Sequence, residues 1–151
     1  LVCRTNTIAR AERAFAERGM RMTDLRAMVL AEIAGSHHAL GAYDIIGNLA
    51  EKGTRLAPIS VYRAIDALIE AGVVHRLESR NAYFACHASH VRGHQHLILA
   101  CQACGTIAEV EADDILAAID AAAARVRFAA RSRIVEVAGV CANCSEGAAG
   151  V

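Results

Sequence analysis

The chain has 151 residues, enough for one domain or two small ones, and its 55% hydrophobic share argues against disorder. Its 16 basic and 16 acidic residues cancel, so net charge alone demands neither a nucleic-acid nor a membrane partner. No apolar run approaches the roughly 18 residues of a membrane helix, and Leu1-Val2-Cys3-Arg4 lacks the apolar core of an export signal, so the cytoplasm is the expected compartment.

In chain order, residues 5–18 carry Ile8, Ala11, Ala14 and Phe15 on one face and Arg10, Glu12, Arg13 and Glu17 opposite, which predicts a helix stopped by Gly19. Thr23 is a good N-cap for a second helix. Asp24 lies in its first turn, where the helix dipole favours an anion, and Leu25, Met28, Val29 and Ile33 form its apolar stripe up to Gly35. Residues 36–41 read as a loop, and 42–52 as a third helix burying Ile45, Ile46 and Leu49. After the only proline, Pro58, Ser60 stands in N-cap position for a fourth helix. That helix buries Val61, Ile65, Leu68 and Ile69, offers Tyr62, Arg63 and Asp66 outward, and ends near Gly72. Two short β-like runs, 73–77 and 81–85, flank a turn at 78–81. Helix, turn, helix and hairpin in this order predict a winged helix-turn-helix, whose second helix enters the major groove by its N-terminal end. Residues 1–83 hold 11 Lys+Arg against 9 Asp+Glu and residues 84–151 hold 5 against 7, differences of +2 and −2 that are consistent with DNA binding by the first half and say no more.

The second half is organised around metal chemistry. Between residues 75 and 109 lie five of the seven histidines, namely His75, His87, His90, His94 and His96, together with Cys86 and the pair Cys101-Gln102-Ala103-Cys104. A second pair, Cys141-Ala142-Asn143-Cys144, follows near the C-terminus. In a reducing cytoplasm these cysteines read as ligands before disulfides. Two C-x2-C pairs can complete a tetrahedral zinc site of four thiolates, and Gly105 suits the tight knuckle after Cys104. Such a site has no open coordination position, so it stabilises and does not catalyse. Its contribution is on the order of 10 kcal/mol. The residues between the pairs must then be structured, as a strand at 106–111, an Ala-rich helix capped by Asp113 with Ile115, Leu116 and Ile119 inward, and a strand at 133–138. Cys86, the alternating His94 and His96, and the alternating Glu109 and Glu111 supply ligands for a second metal.

At these residues the chain resembles the ferric uptake regulator superfamily, within it the zinc uptake regulator branch. The resemblance runs from about Arg10 to Cys144 and rests on Arg21-Met-Thr-Asp-Leu-Arg26, Ala42-Tyr-Asp44, Val61-Tyr-Arg-Ala-Ile-Asp-Ala-Leu68, Gly72-Val-Val-His-Arg-Leu-Glu-Ser79, Cys101-Gln-Ala-Cys-Gly105 and Gly139-Val-Cys-Ala-Asn-Cys144. It implies an α+β chain: a winged-helix DNA-binding domain at 1–84, a hinge at 85–95 and a small α/β dimerisation domain with a four-cysteine zinc site at 96–151. It further implies a homodimeric repressor of zinc uptake and homeostasis genes that binds palindromic double-stranded DNA, with two Zn²⁺ per chain. Cys101, Cys104, Cys141 and Cys144 would hold the structural ion, and His75, Cys86, His94 and Glu109 the regulatory one. Tyr43 and Arg63 would read bases, with Tyr62 and Ser60 close to the DNA. Some relatives have an additional metal site, for which His37, His87, His96 and Glu111 are the candidates, although solvated side chains are the favoured reading. One departure is Thr23-Asp24-Leu25-Arg26, where the family has Thr-Pro-Gln-Arg.

Iron-sensing relatives use imidazole and carboxylate oxygen, whereas Cys86 adds a soft thiolate that suits Zn²⁺. Rival readings are an iron- or peroxide-responsive regulator of the same fold, a zinc hydrolase and a zinc-ribbon module without a DNA role. The hydrolase would need an open ligand position and a substrate pocket, and the chain has no H-E-x-x-H helix. Neither enzymatic activity, nor a small-molecule substrate, nor a membrane partner is expected.

Overall fold

A computed structural model describes residues 2–86, 96–131 and 133–147. The chain forms two compact units, Leu1–Cys86 and His87–Val151. No helix among the described residues is long and apolar enough to cross a membrane.

The first unit opens with helix α1 (Val2–Glu17), which buries Ala11 and Phe15 completely and half-buries Ile8 and Ala14, as its pattern predicts. Gly19 adopts φ 64°, so the chain turns back and Met20 N–H donates to the Phe15 carbonyl at 2.9 Å. Helix α2 (Asp24–Gly35) starts where the sequence places it, with the Thr23 hydroxyl accepting from Arg26 N–H at 3.3 Å. It buries Val29, Leu30 and Ile33. In α3 (Ala42–Glu51) the Asp44 carboxylate accepts from Gly41 N–H at 2.9 Å, tying down a helix start that has no side-chain cap of its own. Ile45 and Leu49 are buried there, while Ile46 packs against the core edge.

Helix α4 (Pro58–Glu70) departs from the expected start. Ala57 is its N-cap and Pro58 its first residue, so Ser60 lies inside the first turn and not at the cap. Proline has no N–H to leave unsatisfied and its fixed φ suits the first helical position. The buried face comprises Val61, Ala64, Ile65, Ala67 and Leu68. Ile69 is exposed, contrary to expectation, and the small Ala64 and Ala67 occupy buried positions in its place.

Strands β1 (Val74–Leu77) and β2 (Ala82–Ala85) pair antiparallel, with His75 opposite Phe84 and Arg76 opposite Tyr83. A 3₁₀ turn at Glu78–Arg80 joins them, and Asn81 takes the left-handed conformation at φ 48°. Leu40, in the loop before α3, bridges Tyr83 by two backbone hydrogen bonds of 2.8 Å, so the wing has a third, single-residue rung.

The second unit holds a three-stranded sheet in the order β4-β3-β5, made of β3 (His96–Cys101), β4 (Ile107–Glu111) and β5 (Glu136–Gly139). β3 and β4 run antiparallel, while β5 lies parallel to β3 with Cys101 opposite Gly139. Parallel neighbours need a long crossover, here helix α5 (Asp113–Arg125). Ala112, not Asp113, is the α5 N-cap. Only Leu116 of α5 is buried; Ile115 and Ile119 are exposed, which corrects the expected inward set. A bidentate ion pair from Arg133 to Asp120, with both N–O distances 2.6 Å, ties α5 to the segment entering β5. The short α6 (Ala142–Gly147) closes the described chain.

Candidate metal centre and nucleic-acid interface

The four-cysteine cluster lies within the second unit at the matched ends of two parallel strands. β3 ends on Cys101, and Cys141 follows β5 by two residues. Gly105 takes φ 76°, and its N–H donates to the Cys101 carbonyl at 3.0 Å, closing the knuckle the sequence predicts. Gln102 N–H donates to the Gly139 carbonyl at 2.8 Å, fastening that knuckle to the end of β5. The second knuckle is the first turn of α6, with Cys144 N–H donating to the Cys141 carbonyl at 3.0 Å.

All four sulfurs lie within 4.8 Å of one another, and those of Cys104 and Cys141 are 3.7 Å apart. A disulfide would need about 2.05 Å. Metal–sulfur arms of about 2.3 Å at tetrahedral angles give an edge of about 3.8 Å, so the spacing fits zinc and not a covalent bridge. Cys101 is buried, Cys141 and Cys144 are half-buried, and Cys104 is exposed.

The electrostatics point the same way. The backbone N–H groups of Cys104 and Cys141 point at the Cys101 sulfur from 3.5 Å and 3.3 Å, and lower its pKa from 9.0 to about 6. The Thr106 hydroxyl, 3.2 Å from the Cys104 sulfur, holds that thiol below its ordinary value as well. Cys144 is pushed up to about 12, first by hydrogen bonding to Cys141 and then to Cys104. The cluster therefore yields its first proton readily and its last reluctantly, and a divalent cation amid the sulfurs would remove that reluctance. Since the folded value of Cys101 lies below its unfolded 9.0, its thiolate favours the folded state at high pH and loses that contribution as pH falls through about 6. Zinc retention is expected to fall as protons win the sulfurs below about pH 6, read as release to a chromophoric chelator between about pH 8 and pH 4. Retention unchanged across that range would show that the ion is not held by these thiolates.

In the first unit, His75 stands on β1 with its ring 5.6 Å from that of Phe84, and its ligand nitrogen lies within 4.8 Å of the Cys86 sulfur. Cys86 is buried and anchored at both ends of its peptide. Its N–H donates to the Val73 carbonyl at 3.0 Å, and its carbonyl accepts from the guanidinium of Arg10. Sequence periodicity places Arg10 only on the polar face of α1, and nothing in that pattern indicates a partner 76 residues away. Glu109 is half-buried on β4, opposite Ile98, and Glu111 is exposed opposite His96. His37 is exposed in the loop before α3. His87, His90 and His94 lie outside the described residues, as does most of the expected hinge.

Of the residues expected to contact DNA, Tyr43 is the second residue of α3 and is 73% exposed. Arg63 is exposed on α4 and joins no ion pair among the described residues. Tyr62 is half-buried against the core and Ser60 half-buried in the first turn.

The model of the Ferric uptake regulator family matches residues 17–138. The chain belongs to the ferric uptake regulator family. Among its relatives in that family, the zinc uptake regulation protein of Escherichia coli strain K12 is 36% identical over 139 residues, covering 92% of this chain and 81% of the relative. A solved zinc uptake regulator complexed with zinc and DNA is 35% identical with a TM-score of 0.90, covering 97% of both chains. A crystal structure of holo XcZur is 37% identical with a TM-score of 0.84, covering 95% of this chain and 99% of that one. Membership accounts for the pairing of a winged helix-turn-helix with a four-cysteine α/β unit in one chain.

Proposed function

We propose that this chain is a zinc-responsive transcriptional repressor, a homodimer that binds palindromic operator DNA when loaded with zinc and controls zinc uptake and homeostasis genes from the cytoplasm. The observation that carries the reading is a winged helix-turn-helix in one chain with a compact four-sulfur cluster, the chain being 35% identical to a zinc uptake regulator complexed with zinc and DNA. Dimerisation is supported by the apolar surface of the second unit, where Val126, Phe128, Ile134, Val137 and Val140 are all exposed. β5 has a strand neighbour on one side only among the described residues. Such a surface is a poor one to leave in water and a good one to cover with a second copy.

Two Zn²⁺ per chain serve different ends in this reading. Cys101, Cys104, Cys141 and Cys144 hold a structural ion, and His75, Cys86, His94 and Glu109 hold the regulatory one. A regulatory ion that takes ligands from residues on either side of the hinge binds tightly only in some arrangements of the chain. It shifts the population towards those arrangements by the difference in affinity. By linkage, DNA then tightens zinc by the same factor that zinc tightens DNA. Titrating a palindromic promoter duplex with zinc, with ferrous iron and with chelator tests this directly. Affinity rising only with zinc is expected, and equal affinity in chelator would remove the metal-responsive reading.

Specific recognition falls to Arg63 and Tyr43. Arginine can bond guanine O6 and N7 together, a contact worth roughly 1–3 kcal/mol of discrimination. Arg63→Ala should therefore weaken operator binding about tenfold or more while leaving binding to random duplex almost unchanged. Equal losses on both would mark Arg63 as a phosphate contact.

A further inference from the structure

Among the described residues of the first unit, the two most exposed large hydrophobic side chains are Tyr43 and Ile59, the latter 59% exposed. Both are the second residue of their helix, α3 and α4 respectively. A single exposed isoleucine is ordinary on a protein surface. Ile59 is set apart by where it stands and by how rigidly it is held. Pro58 fixes the backbone just before it, and the N–H groups of Ser60 and Val61 both close onto the Ala57 carbonyl, at 2.9 and 3.4 Å. Its β-branch leaves essentially one side-chain rotamer in a helix. Arg63 lies four residues on, on the same helical face, and is also exposed. A stiff apolar group thus projects into water beside the main candidate base-reading arginine, at the end of the helix that winged-helix proteins direct at base edges.

In the major groove the one apolar feature of the base edges is the C5-methyl of thymine. We infer that Ile59 is a specificity-determining residue that packs against the methyl group of a thymine close to the guanine read by Arg63. The inference rests on the operator-binding reading above and adds to it an apolar contact, with a base preference of its own, beside the hydrogen-bonding one.

The test enriches operator duplexes from random-sequence DNA on the zinc-loaded full chain, then replaces each thymine in turn by uracil, which removes only the C5-methyl. One thymine per half-site should be sensitive, with affinity falling about fourfold, the factor for returning one methyl to water, and about fifteenfold when both half-sites are changed. Ile59→Ala should lose comparable affinity for the thymine duplex and become indifferent to uracil at that position, whereas Ile59→Val should keep part of the sensitivity. A wild-type chain indifferent to every thymine-to-uracil change overturns the inference without touching the repressor reading. The same holds if Ile59→Ala suffers the full uracil penalty. Failure of the zinc-loaded chain to enrich any duplex removes both.

Discussion

Replacing Cys101 with serine is expected to give a chain that carries one zinc fewer and whose second unit does not hold together as a dimer. The Cys101 sulfur is buried, receives two backbone N–H groups and sits at the hydrogen-bonded end of β3 beside the end of β5. A serine hydroxyl there is neutral at any working pH and too hard a donor to complete a thiolate site. A structural zinc of this kind contributes on the order of 10 kcal/mol, as much as the whole stability of an ordinary domain. The second unit has few buried side chains to compensate, since among its described residues Ala100, Cys101, Ala112 and Leu116 are the buried hydrophobic ones. Zinc content, light scattering after size exclusion and far-ultraviolet circular dichroism would read the outcome. A stable dimer with its zinc content reduced by one per chain would refute the structural role.

Cys86→Ser is expected to separate regulation from folding. The change is nearly isosteric, and the two backbone bonds that fix residue 86, to Val73 and from Arg10, do not involve the sulfur. The fold and the four-cysteine zinc should survive. Loss of the thiolate should weaken the regulatory ion by more than roughly 100-fold, beyond the 10–100-fold typical of changes in the groups that merely support ligands. DNA binding should then no longer respond to zinc at concentrations that saturate the wild type. A mobility-shift titration in which the variant responds normally would rule Cys86 out as a ligand. So would calorimetry showing that the variant retains the reciprocal tightening of zinc by DNA.

Much of this molecule is legible in its residues because the features that decide it are local. The Thr23 cap, the Gly19 reversal, the knuckle glycine at 105 and the two C-x2-C pairs each act within a few residues of chain, and each stands where the sequence predicts. What the pattern leaves out depends on neighbours supplied from elsewhere. The run Leu97–Cys101 is apolar without alternation, so it gives no period, yet with His96 it becomes the central strand because β4 and β5 come to either side of it. Periodicity puts Ile115 and Ile119 on one face with Leu116 but does not reveal which part of that face will be covered. Leu40 and Tyr83 find each other across 43 positions, and Arg10 finds the carbonyl of Cys86 across 76. The start of α4 is a different matter: proline at 58, which suits the first helical position, outweighs the serine two residues later as a start signal.

The two sulfur pairs bracket all of β4, α5 and β5, so an ion held by them would tie together the two ends of most of the second unit. On the proposed two-zinc reading, each newly synthesised copy would take an atom of zinc into its own frame before it could report on the supply of the next. Scarcity would act on such a regulator at two points, emptying copies already made and stalling the completion of new ones. Derepression under prolonged shortage would thus outlast the first drop in free metal, and recovery would wait on maturation as well as on binding.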